Sequence, residues 1–239
     1  MEDVTNSKTF SDVKKVVASA HRNTSAADKI KFYDSWASNY DQDVGILEYR
    51  APQLAAQSLV RHFPEERSNV QVLDVACGTG LVAAQLNKYG FGIIHGIDGS
   101  KTMLEQAKEK GLYQDLKQCM MGNDPLPVVT ASYDAVIIVG GLSEGQVPCS
   151  VIPELCRVTK PGGYICMTTR TNTSNITYWR QLQGMLKQLE QQGLWEQVDV
   201  QQVNEWEKAV SEEESTGSPY ISGIIYLYKK CTLQQSQQT

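Results

Sequence analysis

The middle of the chain alternates between short apolar runs and segments whose apolar residues recur at helical intervals. Because the apolar runs contain few polar positions, they predict strands that are buried on both faces. We predict five such strands, at 70–76, 90–98, 116–122, 133–141 and 164–170. Helices are predicted between them at 80–90, 100–111 and 150–163. This alternation favours a parallel sheet that is covered by helices.

The last third of the chain follows a different pattern. A long amphipathic helix is predicted at about 175–192, followed by two strand candidates, "WEQVDVQQVNEWEKA" and "YISGIIYLYKK". The turn-rich "EEESTGSP" separates these strands without a helix, which predicts an antiparallel hairpin at one edge of the sheet. Near the start of the chain, Tyr33, Trp36 and Tyr40 share one face of a predicted helix. Their spacing is compatible with packing on the domain, with covering a ligand, or with both.

Composition describes an ordinary globular chain. Its 239 residues are 41% apolar and 21% charged, which is enough for one domain with a substantial core. We expect a flexible segment over 1–25, a single domain over 26–231 and a flexible tail over 232–239. The sequence has neither the apolar core of a signal peptide nor an apolar run of membrane length. We therefore expect a monomeric protein of the cytoplasm, or of the nucleus, with no membrane partner.

Net charge and cysteine spacing further restrict which partners, disulfides and metal sites are expected. The net charge is −5 and no basic stripe is visible, so nucleic acid is a disfavoured partner. None of the six cysteines forms a C-x-x-C pair. We expect reduced thiols in apolar surroundings rather than disulfides, and we predict no metal site.

A glycine turn follows the first predicted strand, in "VLDVACGTGL". Gly78, Gly80 and Ala83 match the G-x-G-x-x-G/A pattern, in which the glycines let the backbone approach a ligand. Asp98, at the end of the second strand, can accept both hydroxyls of a ribose. A buried Asp74 carboxylate would repel a pyrophosphate, whereas it suits a ligand that carries an ammonium and a sulfonium. These residues favour S-adenosylmethionine over a dinucleotide.

Several segments together resemble the class I S-adenosylmethionine-dependent methyltransferases. "VLDVACGTG", "GIDGSKTML", "SYDAVIIVGGL" and "CRVTKPGGYICM" resemble motifs of that family in its order and spacing. "FYDSWASNYDQDV" resembles the N-terminal cap of its small-molecule members, and the resemblance covers about residues 30–230. It implies an α/β, Rossmann-like, seven-stranded and mostly parallel sheet with an N-terminal helical cap. The implied strand order is 3-2-1-4-5-7-6, with strand 7 antiparallel.

The resemblance also implies roles for individual residues. Met103 would lie against the adenine, and Asn123 or Asp124 would meet its amino group. Val139 and Gly140 would border the sulfonium and the transferred methyl group. The full candidate set for S-adenosyl-L-methionine is Tyr33, Trp36, Tyr40, Asp74, Ala76, Gly78, Gly80, Asp98, Gly99, Met103, Asn123, Asp124, Val139 and Gly140.

The implied activity is in-line methyl transfer to an acceptor. Tyr40 would lie near the methionyl carboxylate, and Tyr33 or Trp36 near the acceptor. No general base is assigned, because His95 lies inside a predicted strand and Glu144 lies in a predicted loop. The segment after the fourth strand reads "VGGLSE", not the "NPPY" of many amino-methylating enzymes. A small-molecule acceptor is favoured on this ground, and a protein acceptor stays open.

Two other hypotheses remain at this point. The glycine pattern and Asp98 also suit a nicotinamide-dependent oxidoreductase. The missing base is compatible with a protein that binds S-adenosylmethionine without catalysis and acts through a partner.

Overall fold

The computed structural model describes residues 8–20, 25–122, 124–211, 214 and 217–232. Helices and strands alternate through most of this part of the chain. The helices are α1 (Phe10–Ala20), α2 (Ala26–Ile46), α3 (Ala51–Val60), α4 (Leu81–Lys88), α5 (Lys101–Glu109), α6 (Ile152–Val158) and α7 (Ile176–Gln191). The strands are β1 (Gln71–Val75), β2 (Ile93–Asp98), β3 (Asp115–Gln118), β4 (Tyr133–Ile138), β5 (Thr159–Arg170), β6 (Trp195–Lys208) and β7 (Tyr220–Lys230).

The strands form one sheet in the order β3-β2-β1-β4-β5-β7-β6. The first five strands pair in parallel, and β7 pairs antiparallel with both β5 and β6. The expected strand order and the expected hairpin are both confirmed. Because β1, β2 and β4 are parallel neighbours, their carboxyl ends meet at one edge of the sheet, where such folds bind ligands.

The core lies on both faces of the sheet. One cluster of buried apolar residues packs α6 and α7 against it, and a second packs α3 and α4 against the opposite face. This is why the central strands are apolar throughout: β4 buries Ala135 to Ile138 completely. A third, smaller cluster joins α1 to α2.

The predicted flexible segment over 1–25 differs from the structure at residues 10–20, which form α1. Val13 and Val17 are four residues apart and therefore share one helix face. Both are buried in the cluster with Trp36 and Val44 of α2. The amphipathic spacing of the valines thus gives this stretch a packing partner. Residues 1–7, 21–24 and 233–239 lie outside the described residues.

The helix predicted over 150–163 is too long. A short turn of 3₁₀ helix over Cys149–Val151 leads into α6, which ends at Val158, and Thr159 already pairs with Tyr133 of β4. Pro161 restricts the residue before it and cannot donate to a helical hydrogen bond, so the chain leaves the helix before reaching it. The third strand is also shorter than predicted, ending at Gln118.

All six cysteines are free thiols in the structure, and four of them are buried. In the part of the chain that the structure describes, no helix combines the length and apolarity needed to cross a membrane. Among these same residues, no group of three or more His, Cys, Asp or Glu side chains could hold a metal ion.

Candidate functional site

The loop between β1 and α4 is a tight turn with an unusual backbone. Ala76, Gly78 and Gly80 all have positive φ, at 55°, 53° and 90°, which favours glycine. A Cβ on Gly78 would meet no atom of the described residues within 4 Å, whereas a Cβ on Gly80 would lie 3.0 Å from the Tyr113 ring. Gly78 therefore faces open space, while Gly80 permits close packing beneath Tyr113.

Asp98 ends β2 beside this turn. Its Oδ2 accepts a hydrogen bond from the Gly78 N–H at 2.8 Å, and its Oδ1 accepts one from the Ser100 N–H at 2.8 Å. Burial raises the pKa of the Asp98 carboxyl, and the hydrogen bonds from the Ser100 and Gly78 amides oppose that rise. A carboxylate has about four lone-pair sites, so Asp98 is fixed in orientation and can still accept hydrogen bonds from a ligand.

Helix α2 crosses this edge of the sheet and is held there by two of its carboxylates. Asp34 Oδ1 accepts a hydrogen bond from the Ser100 hydroxyl at 2.5 Å, at the start of α5. Asp41 accepts one from the Thr79 hydroxyl at 2.5 Å and forms a salt bridge with Lys110 at 2.6 Å. The helix is thus attached directly to the glycine turn and to the end of β2.

A cavity of about 910 Å³ opens between α2 and the carboxyl ends of β1, β2 and β4. We call it the first cavity; its volume includes the open solvent within it. Nine of the predicted site residues line it: Tyr33, Tyr40, Ala76, Gly78, Asp98, Gly99, Met103, Val139 and Gly140. The structure therefore brings together most of the residues predicted from the sequence.

Asp74 does not reach the first cavity. Its side chain is completely buried, and Oδ2 accepts a hydrogen bond from the Tyr113 hydroxyl at 2.7 Å. Oδ1 has no hydrogen-bond partner among the residues that the structure describes. Burial raises the pKa of Asp74 to about 7, with the Tyr113 hydrogen bond opposing the rise and the Asp98 charge adding to it. Asp74 thus lies beneath the glycine turn and not on the cavity wall.

Four other predicted residues also do not line the first cavity, and one of these lies outside the residues that the structure describes. Trp36 lines a neighbouring cavity, and Gly80 packs beneath Tyr113. Asp124 is exposed and forms an isolated bridge with Met121. Asn123 lies outside the described residues.

Several lining residues of the first cavity were missed by the sequence reasoning. They are Lys29, Ile30, Met120, Met121, Gly141, Gly145, Gln146, Val147 and Pro148. A signal existed for two groups: Lys29 and Ile30 lie one turn before Tyr33 on α2, and Met120 and Met121 follow the carboxyl end of β3. The loop from Gly141 to Pro148 carries no pattern from which its approach could be inferred.

A second cavity of about 570 Å³ adjoins the first. Tyr33, Tyr40, Gly140 and Gln146 line both. At Gly140 the shared wall has no room for a side chain, since a Cβ there would lie 2.5 Å from the Tyr49 hydroxyl.

The walls of the second cavity are largely aromatic. Trp36, Tyr49 and Trp206 line it, together with two charged side chains, Arg170 and Glu207. Burial raises the pKa of Glu207 to about 7, the Arg170 charge opposes this rise, and the Glu214 charge adds to it. Glu207 was missed from the sequence, where it is one of several acidic residues on a polar strand.

Comparison of the chain with known proteins identifies its family. A family model described as a methyltransferase domain matches residues 73–167. Methyltransferase-like protein 27 of Homo sapiens is 54% identical over 185 residues, which cover 77% of this chain and 75% of that protein. The chain therefore belongs to the S-adenosylmethionine-dependent methyltransferase family; it is an enzyme of that class, and S-adenosyl-L-methionine is its cofactor. This membership decides against the oxidoreductase hypothesis.

More distant relatives agree on the fold. The ubiquinone/menaquinone biosynthesis C-methyltransferase UbiE of Desulfotalea psychrophila is 31% identical over 150 residues, covering 62% of this chain and 61% of that protein. A methyltransferase solved in complex with the Haloferax volcanii Trm112 methyltransferase activator superposes with a TM-score of 0.65 at 16% identity. That match covers 84% of this chain and 97% of the other, and at this identity it shows the fold alone.

The first cavity fits the cofactor of this family. The space beside the Gly78 backbone leaves room for a bound group, and the Asp98 carboxylate is part of the cavity wall. Asp98 remains the residue predicted to hold the ribose hydroxyls, and Met103 the residue predicted to lie against the adenine.

Proposed function

We propose that this methyltransferase acts on a small molecule bound in the second cavity. The proposal rests on one observation: the second cavity shares a wall with the first at Gly140, the residue predicted to border the transferred methyl group. A molecule in the second cavity would therefore lie next to the reacting end of the cofactor. The second cavity holds about 570 Å³ of empty space, a volume that includes open solvent.

The chain itself would contribute positioning and exclusion of water. The cofactor, when bound, supplies a methyl group on a positively charged sulfur. Tyr33 and Tyr40 close the two cavities from the side of α2. The Tyr33 ring stacks on Trp36 and the Tyr40 ring meets Trp36 edge-on, so the three rings form one aromatic cluster. Holding two reactants in line in such a dry space accounts for a large part of the rate in reactions of this kind.

The composition of the wall supports an amphipathic acceptor. Aromatic rings offer apolar contact, and Gln146, Thr169 and Arg170 offer polar groups for orientation. The hydroxyl of Ser143, also on this wall, is buried and has no hydrogen-bond partner in the described part of the chain. The relative from Desulfotalea psychrophila is named for quinone biosynthesis, which supports a small-molecule acceptor here.

The test is a transfer assay with tritium-labelled methyl groups on S-adenosylmethionine. Purified protein is incubated with a cell extract, which is then separated by ultrafiltration into small molecules and macromolecules. We expect the label in the small-molecule fraction, and no label there with the Gly78→Val variant. Label confined to the macromolecular fraction would contradict the proposal.

A further inference from the structure

Glu207 occupies a fixed position on the wall of the second cavity. The backbone on either side of it is held by hydrogen bonds to the segment around the end of α2. The Arg50 N–H donates to the Trp206 carbonyl at 3.1 Å, and the Lys208 N–H donates to the Leu47 carbonyl at 2.8 Å. The neighbouring side chain of Trp206 is 1% exposed. Glu207 is therefore positioned by the fold rather than by contacts of its own carboxylate.

The carboxylate of Glu207 is available for a ligand. Within the described residues it forms no hydrogen bond and no salt bridge to another side chain. Among the described residues that line the second cavity, Glu207 alone carries a carboxylate, and none is a histidine. The tyrosines on this wall remain protonated at neutral pH, because burial raises the pKa of Tyr33 to about 12 and also raises those of Tyr40 and Tyr49.

We propose that Glu207 is the general base of methyl transfer, and that the acceptor consequently presents a protonated nucleophile, namely a hydroxyl, amine or thiol group. This inference rests on the proposed function. Methyl transfer forms a bond from the acceptor heteroatom to the methyl carbon, and the carbon–sulfur bond breaks with its electron pair remaining on sulfur. The Glu207 carboxylate takes the proton that the heteroatom loses and later releases it to solvent.

The electrostatic surroundings suit this role. Arg170 on β5 favours the ionised form, while burial and the charge of Glu214 favour the protonated form. Tyr33 and Tyr40 of α2 and Tyr49 face the same space, and the Lys208–Glu48 ion pair lies next to Glu207 along the chain. The balance sets the pKa of Glu207 at about 7. A base with a pKa near the working pH both accepts and releases protons efficiently.

The experiment compares Glu207→Gln, which keeps the shape but removes the base, with Glu205→Gln on the same strand. Glu205 is exposed and lines neither cavity, so it is a matched control. The first measurement is an NMR titration of protein labelled at the glutamate carboxyl carbons. The resonance missing from Glu207→Gln identifies Glu207, and we expect its midpoint at about 7. A midpoint near 4.5, the ordinary glutamate pKa, would overturn the inference.

The second measurement is the initial rate of label transfer to the small-molecule fraction as a function of pH. We expect the wild-type rate to rise with pH through neutrality, because the base must be ionised. Glu207→Gln is expected to lose about 100-fold in rate and to lose this rise, while Glu205→Gln keeps both.

Calorimetry with S-adenosylhomocysteine distinguishes failure of the base assignment from failure of the proposed function. Equal binding by all three proteins, with a wild-type rate in Glu207→Gln, would overturn the base assignment and leave the proposed function intact. Cofactor binding without small-molecule labelling by the wild type would overturn the proposed function, and the base assignment with it.

Discussion

A buried acid in the central strand makes the stability of this protein depend on pH in a way that one substitution should remove. Asp74 is completely buried beneath the glycine turn, and its carboxylate accepts a hydrogen bond from the Tyr113 hydroxyl. Replacing it by Asn keeps the size and an oxygen that can accept from the Tyr113 hydroxyl, but removes the ionisable proton. The perturbation therefore isolates the cost of the charge.

The magnitude follows from the pKa of Asp74 in the two states. Burial raises the pKa from 3.8 to about 7 in the folded protein, which corresponds to about 4 kcal/mol against the ionised form. Because the folded-state pKa is the higher one, the folded protein binds more protons between the two values. The stabilisation is complete below the unfolded-state pKa and is lost as pH rises through the folded-state pKa. Between about pH 5.5 and about pH 8 the loss amounts to about 2 kcal/mol.

The assay is urea unfolding of cofactor-free wild type and Asp74→Asn at these two pH values. Titrating groups that do not interact with Asp74, such as Glu207, affect both proteins alike and cancel when the two pH-dependent changes are subtracted. We expect wild type to lose about 2 kcal/mol more than the variant on going to the higher pH. Asp124→Asn, which alters an exposed carboxylate, should follow wild type.

Two results would refute this reasoning. A variant that loses stability with pH as steeply as wild type would mean that Asp74 is already ionised in the folded protein at low pH. A wild-type stability that increases over this range relative to the variant would mean that the carboxylate is favoured by a partner and not penalised by burial.

Three further predictions concern the first cavity and α2. Asp98→Ala should weaken S-adenosylhomocysteine binding by about 1–3 kcal/mol, or about 5- to 150-fold, because ribose hydroxyls lose their acceptor; unchanged affinity by calorimetry would contradict the ribose role. Gly78→Val should abolish this binding by filling the space beside the turn. Gly193→Val should bind S-adenosylhomocysteine normally, because Gly193 also has positive φ and open space but lies at the end of α7. Normal binding by both variants would mean that the turn is purely structural. Trp36→Phe should cost about 1–3 kcal/mol of unfolding free energy, because Asp43 loses its 2.7 Å indole hydrogen bond in a buried position; an unchanged urea midpoint would contradict this.

Much of the fold could be predicted because its main signals are local. The central strands are buried on both faces, so they are continuously apolar and stand out against the helical segments between them. The final hairpin followed from two strand patterns joined by a turn. The prediction places the end of α6 too late, because the chain passes from Val158 of the helix directly into pairing with β4 at Thr159, with no loop between them. Periodicity alone does not show where a helix gives way to a strand.

The candidate site was predictable where it depends on strand ends and glycine geometry. Gly78 and Asp98 lie on consecutive parallel strands, so their proximity follows from the topology. Glu207 could not be found in this way. Strand β6 carries polar residues along most of its length, and its pairing with β7 shifts register between Val203 and Glu207, so the sequence does not show which face Glu207 occupies. Asp74 was interpreted as a ligand contact because the sequence does not show that Tyr113, far along the chain, covers it.

The shared wall of the two cavities has a thermodynamic consequence. Tyr33 and Tyr40 would contact both the cofactor and a molecule in the second cavity, so ordering these rings for one ligand reduces the entropy cost of binding the other. Such coupling is reciprocal: the factor by which the cofactor tightens acceptor binding equals the factor by which the acceptor tightens cofactor binding. Departure of the methylated product would then loosen the spent cofactor, and α2 would link the end of one turnover to the start of the next.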